Sequence, residues 1–149
     1  MAIFGSGTTA KVLVDLNGVT GYTGQVTITD NLYDVAALTE IQAAATGTIV
    51  LQKAAISTLE GDAATLKTAL DGIKYTGPIN VTGTADAADV NVLAALTTGK
   101  VTAKVTETDA AVLLAALTDA KPTDALTLVV TGTATAAELK ALDAKTSVA

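Results

Sequence analysis

A chain of 149 residues, half of them hydrophobic, is long enough to bury one sizeable core, and a net charge of −6 without a basic cluster or an aromatic stacking set argues against nucleic-acid and anionic-membrane partners. His, Cys and Trp are absent and all nine basic residues are Lys, which excludes imidazole bases, thiolate nucleophiles, the common N/S zinc sites, and haem or iron–sulfur ligation. The lack of Cys also excludes a disulfide framework, without fixing the compartment.

In chain order, Met1-Ala2-Ile3-Phe4 lacks the basic and apolar regions of a signal peptide, and no stretch reaches the roughly 18 apolar residues of a membrane helix. Gly5-Ser6-Gly7 has no preceding strand and no Lys-Ser/Thr at P-loop spacing, so it reads as a flexible linker. Lys11 to Leu16 alternates and ends in Asn17-Gly18, a dipeptide favoured in tight hairpins, so residues 1–24 are expected to form a β-rich N-terminal end piece. Gln25 to Thr29 reads as a strand, and Asn31 as the cap of a helix through Val35, Leu38, Ile41 and Gln42. Between Thr48 and Gly61, either Ile49 to Leu51 or Ala55 to Leu59 supplies the next strand.

From there the chain repeats itself. Asp62-Ala63-Ala64-Thr65-Leu66, Asp86-Ala87-Ala88-Asp89-Val90, Asp109-Ala110-Ala111-Val112-Leu113 and Thr135-Ala136-Ala137-Glu138-Leu139 are four copies of one phrase, starting 24, 23 and 26 residues apart. Spacing of this kind marks a stacked array. The leading Asp or Thr caps a helix, Thr135 with Glu138 makes a capping box, and apolar residues follow at three- and four-residue steps. Asp62, Asp86 and Asp109 are read as caps rather than as a cation-binding row, since Thr replaces Asp at 135.

Ahead of each cap lies a segment of period two: Ile79 to Thr82, Thr102 to Thr106 and Thr127 to Thr131. Gly47, Gly72, Gly77 and Gly99 fall where helices should end, as left-handed caps or turn residues, and Pro78 and Pro122 break any continuation. Asn80-Val81-Thr82 also matches the glycosylation acceptor pattern, which is too common to carry weight. Lys145 to Ala149 reads as the start of another strand, so the array is expected to continue, or to pair with another subunit, beyond residue 149.

These units predict an α/β chain: a right-handed, two-layer solenoid of strand-helix repeats over residues 25–149, with a compact three-layer α/β domain as the alternative. Thr27, Thr29, Thr82, Thr102, Thr106, Thr127 and Thr131 should project from the open sheet face in files that could bind ice or a glycan. Lys104 and Val129 interrupt that lattice, and Thr is in any case a good exposed-strand residue. No catalytic, cofactor or metal residues are assigned, and an enzyme is the least favoured class, since nothing brings the carboxylates, Lys, Ser/Thr and Tyr together.

VTGTADAADVNVLAALTTGKVT and VTGTATAAELKALDAKTSV resemble the Thr/Ala/Val/Asp-rich repeats of very large secreted or cell-surface bacterial proteins, those labelled hemolysin-type, adhesin-like or motility-associated. The resemblance covers about residues 25 to 149 and implies an extracellular or cell-surface spacer, scaffold, adhesive module or filament subunit. Neighbouring repeats or identical subunits, joined through terminal strand edges, are the partners it implies, with a glycan or a surface as a further one. No G-G-x-G-x-D run is present, so no calcium site carries over, and the leucine-rich L-x-x-L-x-L-x-x-N pattern is missing.

Overall fold

The structure, a computed structural model, describes residues 5–148. Seven strands and six α-helices occur among them: β1 (Ser6–Gly7), α1 (Thr9–Leu16), β2 (Val26–Ile28), α2 (Val35–Ala44), β3 (Ile49–Leu51), β4 (Leu59–Gly61), α3 (Ala63–Ala69), β5 (Ile79–Ala85), α4 (Ala87–Leu96), β6 (Val101–Val105), α5 (Ala110–Ala116), β7 (Ala125–Thr127) and α6 (Ala136–Asp143). A 3-10 turn, Ala54–Ile56, separates β3 from β4. The fold is α/β, with parallel sheets alternating with helices. One sheet runs β1-β2-β3 and the other β4-β5-β6-β7, so spatial order follows chain order throughout.

All six helices begin in the same way. Thr8, Asp34, Asp62, Asp86, Asp109 and Thr135 each stand in extended backbone and accept a hydrogen bond from the N–H three residues on, and Thr135 with Glu138 completes the reciprocal box. Four residues past each cap sits the anchor of the core: Val12, Leu38, Leu66, Val90 and Leu113 are fully buried, while Leu139 is 48% exposed. Each helix packs on the next, and the buried stripe meets Val26, Ile28, Leu59, Ile79, Val101, Ala103 and Leu126 from the strands. Each fully buried aliphatic side chain contributes about 1.5–3 kcal/mol.

Several expectations are corrected. Lys11 to Leu16 is helix α1, because Thr8 caps it and Val12 and Leu16 share one buried face. Asn17-Gly18 closes that helix instead of turning a hairpin, with Gly18 in the left-handed region at φ +75°. Ser6-Gly7 is no linker but the edge strand β1, opposite Thr27 and Ile28. The cap of α2 is Asp34 rather than Asn31. Both candidate segments between Thr48 and Gly61 contribute: Ile49–Leu51 is β3, and Leu59–Gly61 is the strand before Asp62, while Ala55 lies in the 3-10 turn. Leu128 to Thr131 leave the ladder after β7. Lys145 to Val148 form no strand: Thr146 and Ser147 bond the start of β7 mainly through side-chain hydroxyls. Met1 to Phe4 and Ala149 lie outside the described residues.

Candidate functional site

The seven threonines do not line up with one another. Thr27 lies between Ser6 and Val50, half-buried, and its Oγ1 accepts from Gln25 Nε2 at 3.2 Å. Thr29 follows β2, with its N–H on the Gly7 carbonyl at 2.9 Å. Thr102 lies between Asn80 and Ala125, and Thr127 is opposite Lys104. Thr82 sits in a bulge where the β5–β6 register passes from Asn80–Thr102 to Thr84–Lys104, which takes it out of any row. Thr106 and Thr131 lie past the ends of their strands, with their N–H groups on the carbonyls of Ala85 and Thr108. The outward rows are therefore mixed, Glu60–Asn80–Thr102–Ala125 and Thr84–Lys104–Thr127, and Asn80 Nδ2 donates to Glu60 Oε2 at 2.8 Å. No two of the seven threonines are cross-strand partners, so the expected hydroxyl files are replaced by rows carrying a carboxylate, an amide and an ammonium.

A phrase that composition alone did not bring out explains how the units stack. Tyr22-Thr23-Gly24-Gln25-Val26, Ala45-Thr46-Gly47-Thr48-Ile49, Tyr75-Thr76-Gly77-Pro78-Ile79 and Thr97-Thr98-Gly99-Lys100-Val101 share T-G-x-[V/I]. Their first residues pair as parallel bridges, Tyr22 with Ala45 and Tyr75 with Thr97. Their glycines lie so close that a Cβ on Gly47 would run into the carbonyl oxygen of Gly24, and one on Gly99 into that of Gly77. Of the glycines expected at helix ends, Gly72 alone is left-handed, at φ +68°; Gly47, Gly77 and Gly99 are the close-approach residues of these turns.

The stacking breaks once, and the break forms a groove. Tyr75 and Gly77 do not stack on Ala45 and Gly47; Tyr75 Oη donates to the Ser57 carbonyl, and Gly77 lies against the carbonyls of Ala54 and Ser57. The inserted 3-10 turn has taken the place of the regular turn, so β3 pairs with β2 on one edge and with no described strand on the other. Along that free edge run two adjoining hollows of about 420 and 340 Å³, and a third of about 470 Å³ continues the first between α2 and α3. Thr39, Gln42, Lys67 and Asp71 line the helical end, Thr46, Thr48 and Gly72 the middle, and Val50, Leu51 and Lys74 the far end. Gln42 Nε2 crosses to the carbonyls of Ala69 and Asp71.

Among the described lining residues, the one amine bonded to a carboxylate is Lys67, held by Asp89 of the next helix outside the groove, and no lining hydroxyl is bonded to a lining carboxylate, the pairing by which a general base activates a nucleophile. What the groove offers is a strand edge, threonine hydroxyls and the Lys74 ammonium, a surface for hydrogen-bonding an extended backbone. Among the described residues no helix is long and apolar enough to cross a membrane. No family model, curated protein or solved structure matches the chain.

Proposed function

We propose that this chain is a non-enzymatic structural or adhesive repeat module, a two-layer α/β solenoid of right-handed strand-helix units serving an extracellular or cell-surface assembly. One observation carries the reading. Among the described residues, the hydrogen bonds that join one unit to another span 18 to 29 residues and no more, so each unit holds its immediate neighbours only. Helices packed each on the next supply one layer, and the half-exposed rows of the sheet supply an open face, whereas a three-layer domain covers both faces. Stability then accumulates unit by unit, which suits a spacer whose length is its function. Neighbouring repeats or identical subunits are the partners such a module takes. The extracellular setting rests on the repeat vocabulary, and the adhesive half of the reading rests on the groove beside β3.

The test is to lengthen the chain. Inserting four extra copies of residues 86–108 should leave cooperative unfolding intact and extend the maximum dimension in solution scattering by about 20 Å, at about 4.8 Å per strand step. Loss of folding, or growth in all directions at once, would overturn the array.

A further inference from the structure

One sheet edge of this chain is met by its own extended backbone. Beside β7, Leu126 N–H donates to Thr146 Oγ1, which donates in turn to the Leu126 carbonyl, both at 2.9 Å, and Ser147 N–H donates to the Asp124 carbonyl at 2.6 Å. The edge of β3 makes the same demand in the middle of the chain. Val26 N–H bonds the Thr48 carbonyl and Gln52 N–H bonds the Ile28 carbonyl, so Thr48, Val50 and Gln52 turn their backbone groups towards β2. Alternation then turns the N–H and C=O groups of Ile49 and Leu51 the other way, towards the two hollows along the edge. Among the described residues nothing bonds these two donors and two acceptors.

Charge along the groove narrows what fits there. Lys74 stands four residues past the C-cap Leu70, as Lys121 stands four past the C-cap Leu117. Lys121 Nζ donates to the carbonyls of Ala94 and Thr97, at the end of the preceding helix, at 2.5 and 2.9 Å. Lys74 is exposed at the Leu51 end of the groove, and among the described residues its ammonium holds no carbonyl and no carboxylate. Asp71 is exposed at the other end, with Thr46 and Gly72. Between them Val50 is half-buried and stands where the side chain of an added strand would lie alongside it.

We propose that the free edge of β3 binds an extended peptide segment of a protein partner as an added parallel strand, with a β-branched residue beside Val50 and a carboxylate at Lys74. The segment's backbone meets the Ile49 and Leu51 groups and supplies the affinity, while Val50 and Lys74 supply the selectivity. Parallel running matches every strand pair in the two sheets and puts the acidic residue on the C-terminal side of the segment, away from Asp71. The proposal names the partner for the adhesive half of the proposed function and rests on that reading.

The probe is the peptide acetyl-Thr-Val-Thr-Val-Glu-amide, titrated into the whole chain to about 1 mM and followed by amide NMR. So short an added strand should bind with a Kd on the order of 100 μM, shifting the Ile49 and Leu51 amides and slowing their exchange. N-methylating the alternate peptide amides that face β3 should abolish binding, and N-methylating the intervening ones should leave it. Lys74→Glu, a change at an exposed side chain, should weaken binding by about tenfold, and a peptide ending in Lys in place of Glu should regain it on that variant. No binding at 1 mM, equal effects of the two methylation patterns, or indifference to Lys74→Glu would overturn the proposal. So would a doubled mass in sedimentation of the peptide-free chain with the same two amides shifting as protein concentration rises, which would give the edge to a second copy. Lengthening the chain does not involve this edge, so lost peptide binding and a lost array are distinguishable.

Discussion

Asp124 accepts a hydrogen bond from the backbone N–H of Val101 at 2.8 Å and is itself fully buried. In the earlier units the same strand-opening N–H finds a backbone carbonyl of the next unit: Val26 bonds Thr48, Leu59 bonds Pro78 and Ile79 bonds Lys100, at 2.8 to 3.0 Å. The T-G phrase is absent after α5, and a carboxylate oxygen stands in for the missing carbonyl while its partner oxygen takes the Lys121 N–H at 2.8 Å. Asp124→Ala strands both donors. At about 1–3 kcal/mol for each buried group left unpaired, the variant should lose about 3 kcal/mol in urea unfolding, and Asp124→Asn, which keeps one acceptor oxygen, about 1 kcal/mol. An alanine variant as stable as the parent would contradict this role.

Gly99 is the residue on which the β5–β6 stacking depends. Any Cβ there meets the Gly77 carbonyl, and backbone cannot step aside as a flexible side chain can. Gly99→Ala should cost about 3 kcal/mol, the upper end for forced overpacking, and should speed amide exchange at Ile79 and Val101, which flank the contact. Gly72, by contrast, has open space around it and is constrained only by its φ of +68°, so Gly72→Ala should cost only about 1–2 kcal/mol and leave those amides protected.

The caps were the most legible feature. Asp62, Asp86, Asp109 and Thr135 stand one turn ahead of an anchor that has to be buried, and a signal repeated four times survives local noise. Lys11 to Leu16 misled because Val12 and Val14 alternate while Val12 and Leu16 lie one turn apart, so the same six residues satisfy both periods. Thr8 and Gly18, which frame the helix, were the deciding residues. The threonine rows were not legible at all. Row membership depends on register, and the bulge that passes from Asn80–Thr102 to Thr84–Lys104 cannot be seen in the strand's own alternation. The groove beside β3 was equally hidden, since it arises from where Tyr75 and Gly77 come to rest and not from any phrase in its lining.

Leu113 and Leu139 hold one position in successive units, and they separate packing from propensity. Both are leucines four residues past a helix cap, one fully buried and the other 48% exposed. Leu113→Ala should cost about 2–5 kcal/mol through lost transfer energy and the cavity left behind, and Leu139→Ala less than about 1 kcal/mol in the isolated subunit. Urea unfolding under dilute conditions checks both. Equal losses would mean that the stripe is not buried unit against unit.

Tyr75 gives the array an alkaline limit. Its ring is 1% exposed, and its hydroxyl donates to the carbonyls of Ser57 and, at 3.3 Å, Pro78, which ties the inserted turn to the unit that follows. Burial disfavours the tyrosinate and pushes the group up from 10 to about 12, with Tyr33 adding to the rise. Because the folded value lies above the unfolded one, the stabilisation is complete below pH 10 and drains away as pH climbs from 10 towards about 12. The whole chain should therefore lose stability over that window, and Tyr75→Phe should lose less of it there while being weaker by about 1 kcal/mol at neutral pH for want of the hydroxyl's bonds. Tyrosinate absorbance followed alongside the unfolding midpoint tests this directly. Tyr33, which burial also raises, should still titrate late in Tyr75→Phe, so one high-pH tyrosine should be lost and not all; a variant that loses none would mean that the turn is held some other way.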